Sequence, residues 1–215
     1  MKQLTLADEL FLLGQDEKSG RSAISEISLA TGLAGGLLGE LLLGGMIQLQ
    51  DGRVAPLRQR PPADSVTHAV LERIVAERRL LTIQTWLSYI RQDAYPAVAR
   101  RLAFTGVVTS VRTTGWLRRT QVRYPVVDLG VAARPRMRLR AMLAGERPWD
   151  PSSVLLALLV RAVGLEEVLA LELTARQIRE RLDQVAQSAP PPFVELSREV
   201  EQAIASPSVG HRRQH

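Results

Sequence analysis

The chain has 215 residues, of which 46% are hydrophobic, enough to bury the core of one large domain or two small ones. Its formal net charge of +6 favours anionic partners, such as a phospholipid surface or nucleic acid, over cationic ones. Because there is no cysteine, a disulfide framework, a thiolate nucleophile and a cysteine-based zinc site are all excluded.

The first element is a predicted helix at residues 4–14, with Thr5 and Asp8 placed as a capping box and Gly14 as its end. No apolar signal core precedes these residues, so we expect a cytoplasmic protein. Residues 24–45 form a helical pattern in which charge is almost absent. A helix that is apolar on nearly every side must be buried on nearly every side, so we predict that this segment forms the centre of the domain.

The same segment is long enough to cross a bilayer, which requires about 20 apolar residues. Glu40 and six glycines between residues 27 and 47 weaken that interpretation, and no basic cluster flanks the segment closely. We therefore expect a buried core helix and not a transmembrane span.

Two β-hairpins are predicted. In the first, strands at residues 46–49 and 53–55 flank Asp51-Gly52, a dipeptide typical of tight hairpin turns. In the second, strands at residues 107–111 and 117–124 flank a turn at residues 113–115. Between the hairpins we predict a helix capped by Asp64, a short helix at 82–90 and another at 96–104.

The remaining chain is predicted to be helical. Pro190 and its neighbours interrupt it, and residues 206–215 are expected to be a disordered tail. The predicted helices cover residues 137–145, 152–163, 165–185 and 193–205. The predicted fold is thus mainly α: one domain, residues 1–205, in which a helical bundle surrounds a buried central helix and carries two small β-hairpins.

The sequence contains no recognisable catalytic or cofactor site. The only histidines are His68, His211 and His215. The last two lie in the expected tail, and the neighbours of His68 include no serine, aspartate or second histidine at the spacing of a triad or metal site. No phosphate-binding loop or dinucleotide motif is present. We therefore predict a protein that is not an enzyme and that needs no metal or cofactor.

Residues 112–140 hold eight arginines against a single acid, Asp128. Trp116 and Leu117 lie at the predicted tip of the second hairpin, next to Arg118 and Arg119. An exposed indole beside arginines suits the interface between water and hydrocarbon, and basic side chains attract anionic lipid. The alternative is that Trp116 packs back on the domain and the arginines form a solvated face.

Two other classes of function compete with membrane binding. The order of helix, strand and turn at residues 27–55 matches a winged-helix DNA-binding unit, but a recognition helix needs exposed polar side chains, and here the one charge is Glu40. A protein-interaction scaffold without lipid contact is also compatible with the composition.

Four segments, in order along the chain, resemble the Golgi phosphoprotein 3 family, in particular its bacterial branch. Residues 4–14 (LTLADELFLLG) resemble its leading motif, and residues 31–49 follow its pattern of small-Gly-Leu, Glu-Leu and Gly-x-hydrophobic-Gln-Leu. Residues 82–87 (TIQTWL) resemble its T-V-Q-x-W segment, and residues 155–169 resemble its late core helix. The resemblance implies a mainly helical fold, a membrane-touching hairpin and binding of phosphatidylinositol 4-phosphate. In the eukaryotic branch it also implies retention of glycosyltransferases through their cytosolic tails.

The family's lipid pocket uses a tryptophan and an arginine around the central helix, where this chain has Ser25 and Ala34. Two further family arginines align near Gln92 and Tyr95, and Arg91 is close enough to serve in their place. The loss of an arginine removes a bidentate phosphate partner. These substitutions leave the lipid specificity open.

From these observations we expect a non-catalytic peripheral membrane adaptor that binds anionic headgroups of the phosphatidylinositol 4-phosphate type. The expected partners are anionic phospholipid or phosphoinositide, a protein cargo and a second copy of the chain; nucleic acid is not expected. The expected headgroup-binding residues are Arg91, Arg118 and Arg119, and the expected membrane contacts are Trp116 and Leu117.

Overall fold

A computed structural model of the protein describes residues 4–17, 19–57, 62–114, 120–170 and 174–206. Over these residues the fold is mainly α-helical, with two separate two-stranded antiparallel sheets, as predicted. In chain order the elements are α1 (Leu6–Leu13), α2 (Glu26–Leu43), β1 (Ile47–Gln50), β2 (Arg53–Pro56), α3 (Ser65–Ala76), α4 (Ile83–Phe104), β3 (Val111–Thr114), β4 (Thr120–Arg123), α5 (Leu129–Ala144), α6 (Pro151–Val163), a short 3-10 helix (Glu166–Leu169), α7 (Ala175–Ser188) and α8 (Pro191–Ala205).

Helix α2 is the centre of the fold and packs against α1, α4, α6 and α8. Eleven of its 18 residues are buried. Its glycines allow this close packing: a Cβ at Gly36 would lie 3.0 Å from Ala7 Cα in α1, and one at Gly32 would lie 2.5 Å from Val163 Cγ1 in α6. The prediction of a buried central helix is confirmed, and α2 has no broad exposed face with which a winged-helix protein could contact DNA.

A buried charge cluster joins α1, α2, α3 and α4. Arg101 forms ion pairs with Asp8 at 2.8 Å, with Glu40 at 3.2 Å and with Asp64 at 2.6 Å, and its Nη2 donates to the Thr5 hydroxyl. Burial raises the pKa of the Asp8 carboxyl. Burial alone would lower the pKa of Arg101, but the three neighbouring carboxylates outweigh it and raise that pKa. The guanidinium of Arg101 in α4 therefore balances negative charge from α1, α2 and the start of α3.

Helix starts follow the predicted caps. Thr5 forms the capping box with Asp8, and the side chain of Asp64 accepts backbone N–H groups at the start of α3. Asp150, which was not predicted as a cap, accepts a backbone N–H group at the start of α6. The first hairpin is also confirmed: Asp51 and Gly52 have φ of 51° and 72°, so both adopt the left-handed conformation that a tight turn between β1 and β2 requires.

Three predicted boundaries are wrong. The expected break between residues 90 and 96 is absent, because Ile90, Ala94 and Val98 bury one continuous face of α4 and this packing outweighs the lost hydrogen bond at Pro96. Helix α5 begins at Leu129 and not at residue 137, with a proline in its interior. The single helix predicted at residues 165–185 is replaced by the short 3-10 helix and α7.

The second hairpin is confirmed, with Val111 opposite Arg123, but its turn was predicted too early because Thr113 and Thr114 belong to β3. Threonine is β-branched and favours a strand, which explains the difference. Trp116, Leu117, Arg118 and Arg119 fall outside the described residues, as does the predicted tail beyond residue 206.

Candidate functional site

A cleft of about 860 Å³ lies between the N-terminal end of α2, the middle of α4 and the end of β4. This volume is within the range of about 300–1,000 Å³ that is typical of ligand pockets. We call it the headgroup cleft. Its lining includes three arginines, one acid and several polar groups: Gly20, Arg21, Ser22, Ser25, Glu26, Arg91, Gln92, Tyr95 and Arg123.

The turn before α2 brings one wall of the cleft close to the second hairpin. Gly20 has φ of 61°, and a Cβ there would lie 2.6 Å from the backbone nitrogen of Pro125. The Val126 N–H donates to the Glu17 carbonyl at 3.2 Å and ties the same two segments together. As a consequence Arg21 and Arg123, which are far apart in the sequence, line one cavity.

The cleft is electropositive. Arg21, Arg91 and Arg123 face a single lining acid, Glu26, so the formal charge of the lining is +2. Arg21 and Arg123 have no ion-pair partner among the described residues. Helix α2 also begins at the cleft, and the partial positive charge at a helix N-terminus adds to the attraction of an anion.

An aromatic cluster supports the inner wall. Tyr95 lines the cleft and packs against Phe11 and Tyr124, with ring centroids 5.2 Å and 6.0 Å away. Its hydroxyl accepts a hydrogen bond from the Gln15 amide at 3.2 Å, and burial raises its pKa. The raised pKa favours the neutral phenol, so this wall adds no negative charge to the cleft.

Apolar side chains border the cleft on its solvent side. Ile27, in the first turn of α2, is 62% exposed, and Val122 on β4 is 42% exposed. Ile27 also lines a shallow pocket next to the cleft, together with Arg91 and Gln92. The site therefore combines basic groups inside with exposed aliphatic groups at the rim.

Arg91, predicted from the sequence, lines the headgroup cleft, and so do Ser25, Gln92 and Tyr95. Ala34 does not, because it is completely buried in the core. Sequence reasoning did not select two of the three basic residues of the cleft. Arg123 belongs to the arginine-rich segment but is not distinguished within it, and Arg21, in a polar turn, gives no signal in the sequence at all.

The arginine run at residues 134–140 is largely structural. Arg136 pairs with Glu17 at 3.2 Å and Arg138 pairs with Glu9 at 2.5 Å. Arg140 donates to three main-chain carbonyl groups around the end of the short 3-10 helix. Most of this local positive charge is therefore used inside the molecule, and Arg134 is the exposed member of the run.

Within the ranges that the structure describes, no group of three or more His, Asp or Glu side chains is placed to hold a metal ion. In the same ranges α2 is the one helix long and apolar enough to cross a membrane by length and composition, and 61% of it is buried. The same burial is expected of the core helix of a soluble fold.

The described residues thus form a mainly helical domain with a basic cleft at the start of its central helix. The family model of Golgi phosphoprotein 3 (GPP34) matches residues 6–206, so the chain belongs to that family. The family is one of non-enzymatic adaptors that interact with lipids and proteins, and membership supports an adaptor-like role.

Proposed function

We propose that this protein is a peripheral membrane adaptor that binds the phosphorylated headgroup of an anionic lipid in the headgroup cleft. The observation that carries the proposal is the convergence of Arg21, Arg91 and Arg123 on one cavity at the start of α2. Guanidinium groups bind phosphate oxygens in pairs and keep their charge at every physiological pH. A headgroup with one or more phosphates is the ligand that best matches such a lining.

The rim of the cleft supports a membrane-bound ligand over a soluble one. Ile27 and Val122 are exposed beside the basic groups, where they can contact the acyl region while the headgroup occupies the cleft. The sequence adds Trp116, Leu117, Arg118 and Arg119 between β3 and β4, and we propose that this connection also contacts the membrane. Exposed apolar groups beside basic ones are typical of surfaces that lie at a lipid interface.

The test is flotation of the protein with phosphatidylcholine vesicles that contain phosphatidylserine or phosphatidylinositol 4-phosphate. Each basic residue near an anionic surface contributes about 1 kcal/mol, so Arg21→Ala/Arg123→Ala should weaken binding by roughly 30-fold. The matched control is Arg78→Ala/Arg79→Ala, which removes two exposed arginines away from the cleft and should bind almost as the parent does.

Equal binding by the cleft variant and the control variant would refute the cleft as the lipid site. Failure of the parent protein to float with any anionic vesicle would refute membrane binding itself. A preference for phosphatidylinositol 4-phosphate over phosphatidylserine at equal surface charge would identify a phosphoinositide site and not a general electrostatic attraction.

A further inference from the structure

We propose that a second basic groove, between α5 and the start of α6, is the docking site for an acidic segment of a protein partner. The α5–α6 groove has a volume of about 630 Å³, and its walls include Leu4, Glu9, Arg134, Met137, Arg138 and Arg147. It shares no lining residue with the headgroup cleft. An adaptor needs two binding surfaces, and three arginines converge on this groove as three do on the headgroup cleft.

The charge of the groove selects an acidic ligand. Three arginines face one carboxylate, Glu9, which already accepts a hydrogen bond from Arg138 Nη2. Arg134 and Arg147 are exposed and have no ion-pair partner within the described part of the chain. Two guanidinium groups, those of Arg134 and Arg147, therefore remain for a ligand that brings carboxylates.

The groove also offers an apolar contact. Met137 is 65% exposed. Met137 and Arg138 lie three and four residues after Arg134, so the three side chains share one side of α5. Leu4 is partly buried at the same groove. Methionine adapts its shape to different apolar ligands, which is why it is frequent at peptide-binding surfaces. The expected ligand segment thus combines carboxylates with a neighbouring apolar side chain.

The position of the groove favours a protein segment over a lipid phosphate, given that the headgroup cleft is the proposed membrane site. Leu4, which lines the groove, precedes α1, and Gly20 and Arg21, which line the headgroup cleft, follow α1, so the two cavities lie towards opposite ends of this helix. A membrane bound at the cleft leaves the opposite end for a protein partner.

The experiment is selection from a random peptide display library against the full chain, followed by affinity measurement with selected synthetic peptides. We expect the selected sequences to be enriched in Asp and Glu beside an apolar residue. The variant Arg134→Glu/Arg147→Glu should weaken their binding by roughly tenfold or more, because two favourable pairs become repulsive. Met137→Ser should weaken it severalfold. Arg78→Glu/Arg79→Glu makes the same change in net charge elsewhere and should bind as the parent does.

The proposal is overturned if no peptide family is enriched, or if the peptides bind Arg134→Glu/Arg147→Glu and the control variant equally. It is also overturned if Arg134→Glu/Arg147→Glu loses vesicle binding as strongly as the cleft variant does, since the groove would then be a membrane surface. Peptide binding that persists in Arg21→Ala/Arg123→Ala, while vesicle binding is lost, separates this proposal from the proposed lipid site. Circular dichroism of each variant checks that it is folded.

Discussion

Replacement of Arg101 by methionine tests whether the buried charge cluster holds the bundle together. The side chains of Asp8 and Glu40 are at most 9% exposed and that of Asp64 is 23% exposed, so the two buried carboxylates have little water to solvate them once the guanidinium is removed. Loss of one partner from a buried ion pair costs about 3–5 kcal/mol. For a domain of this size about 1 kcal/mol changes Tm by roughly 2–4 °C, so Arg101→Met should lower Tm by about 6–20 °C.

The measurement is urea and thermal unfolding followed by helical circular dichroism at pH 7. Arg100→Met is the matched control, since Arg100 is the exposed neighbour on the same helix and its loss should change the free energy of unfolding by about 0.5 kcal/mol or less. Arg101→Met/Glu40→Gln should recover part of the loss because it removes one uncompensated charge. Our account is refuted if Arg101→Met unfolds together with the Arg100→Met control.

Three further predictions concern packing, pH and the hairpin. Gly36→Ala places a methyl group against the Ala7 backbone and should destabilise by about 1–3 kcal/mol in urea unfolding, whereas Gly130→Ala, in open surroundings within α5, should stabilise by up to about 1 kcal/mol. Burial raises the pKa of Glu9 above its ordinary value of 4.5, so its contribution to stability falls as pH rises through the folded pKa; unfolding at a series of pH values should show this fall in the parent and not in Glu9→Gln. Trp116→Ala should weaken vesicle flotation severalfold, and unchanged flotation would refute membrane contact by the hairpin tip.

Local signals predicted most of the secondary structure. Thr5 and Asp64 precede apolar helical patterns and cap α1 and α3 in the structure, as predicted. Prolines gave the misleading signals. Pro96 was interpreted as a helix start although it lies inside α4, because the packing of a long buried face compensates for the missing hydrogen bond.

The candidate site was harder to predict from the sequence than the secondary structure was. Arg91 was expected because it lies near the positions where the family has arginines, and it does line the headgroup cleft. Arg21 was missed because nothing in its own segment distinguishes a cleft arginine from a solvated one. Arg136 and Arg138 belong to the arginine-rich segment that suggested binding of anionic lipid. Both side chains instead pair with buried or half-buried acids from the N-terminal region.

The sequence by itself determined the central helix and the first hairpin. A glycine- and leucine-rich helix without charge on most of its surface has no stable place except the interior, and Asp51-Gly52 provides the left-handed backbone of a tight turn. The tertiary structure alone decided which arginines meet a ligand. Ion pairing and burial between distant segments determine whether a guanidinium is used internally or faces a cavity, and local sequence carries no information about those distant neighbours.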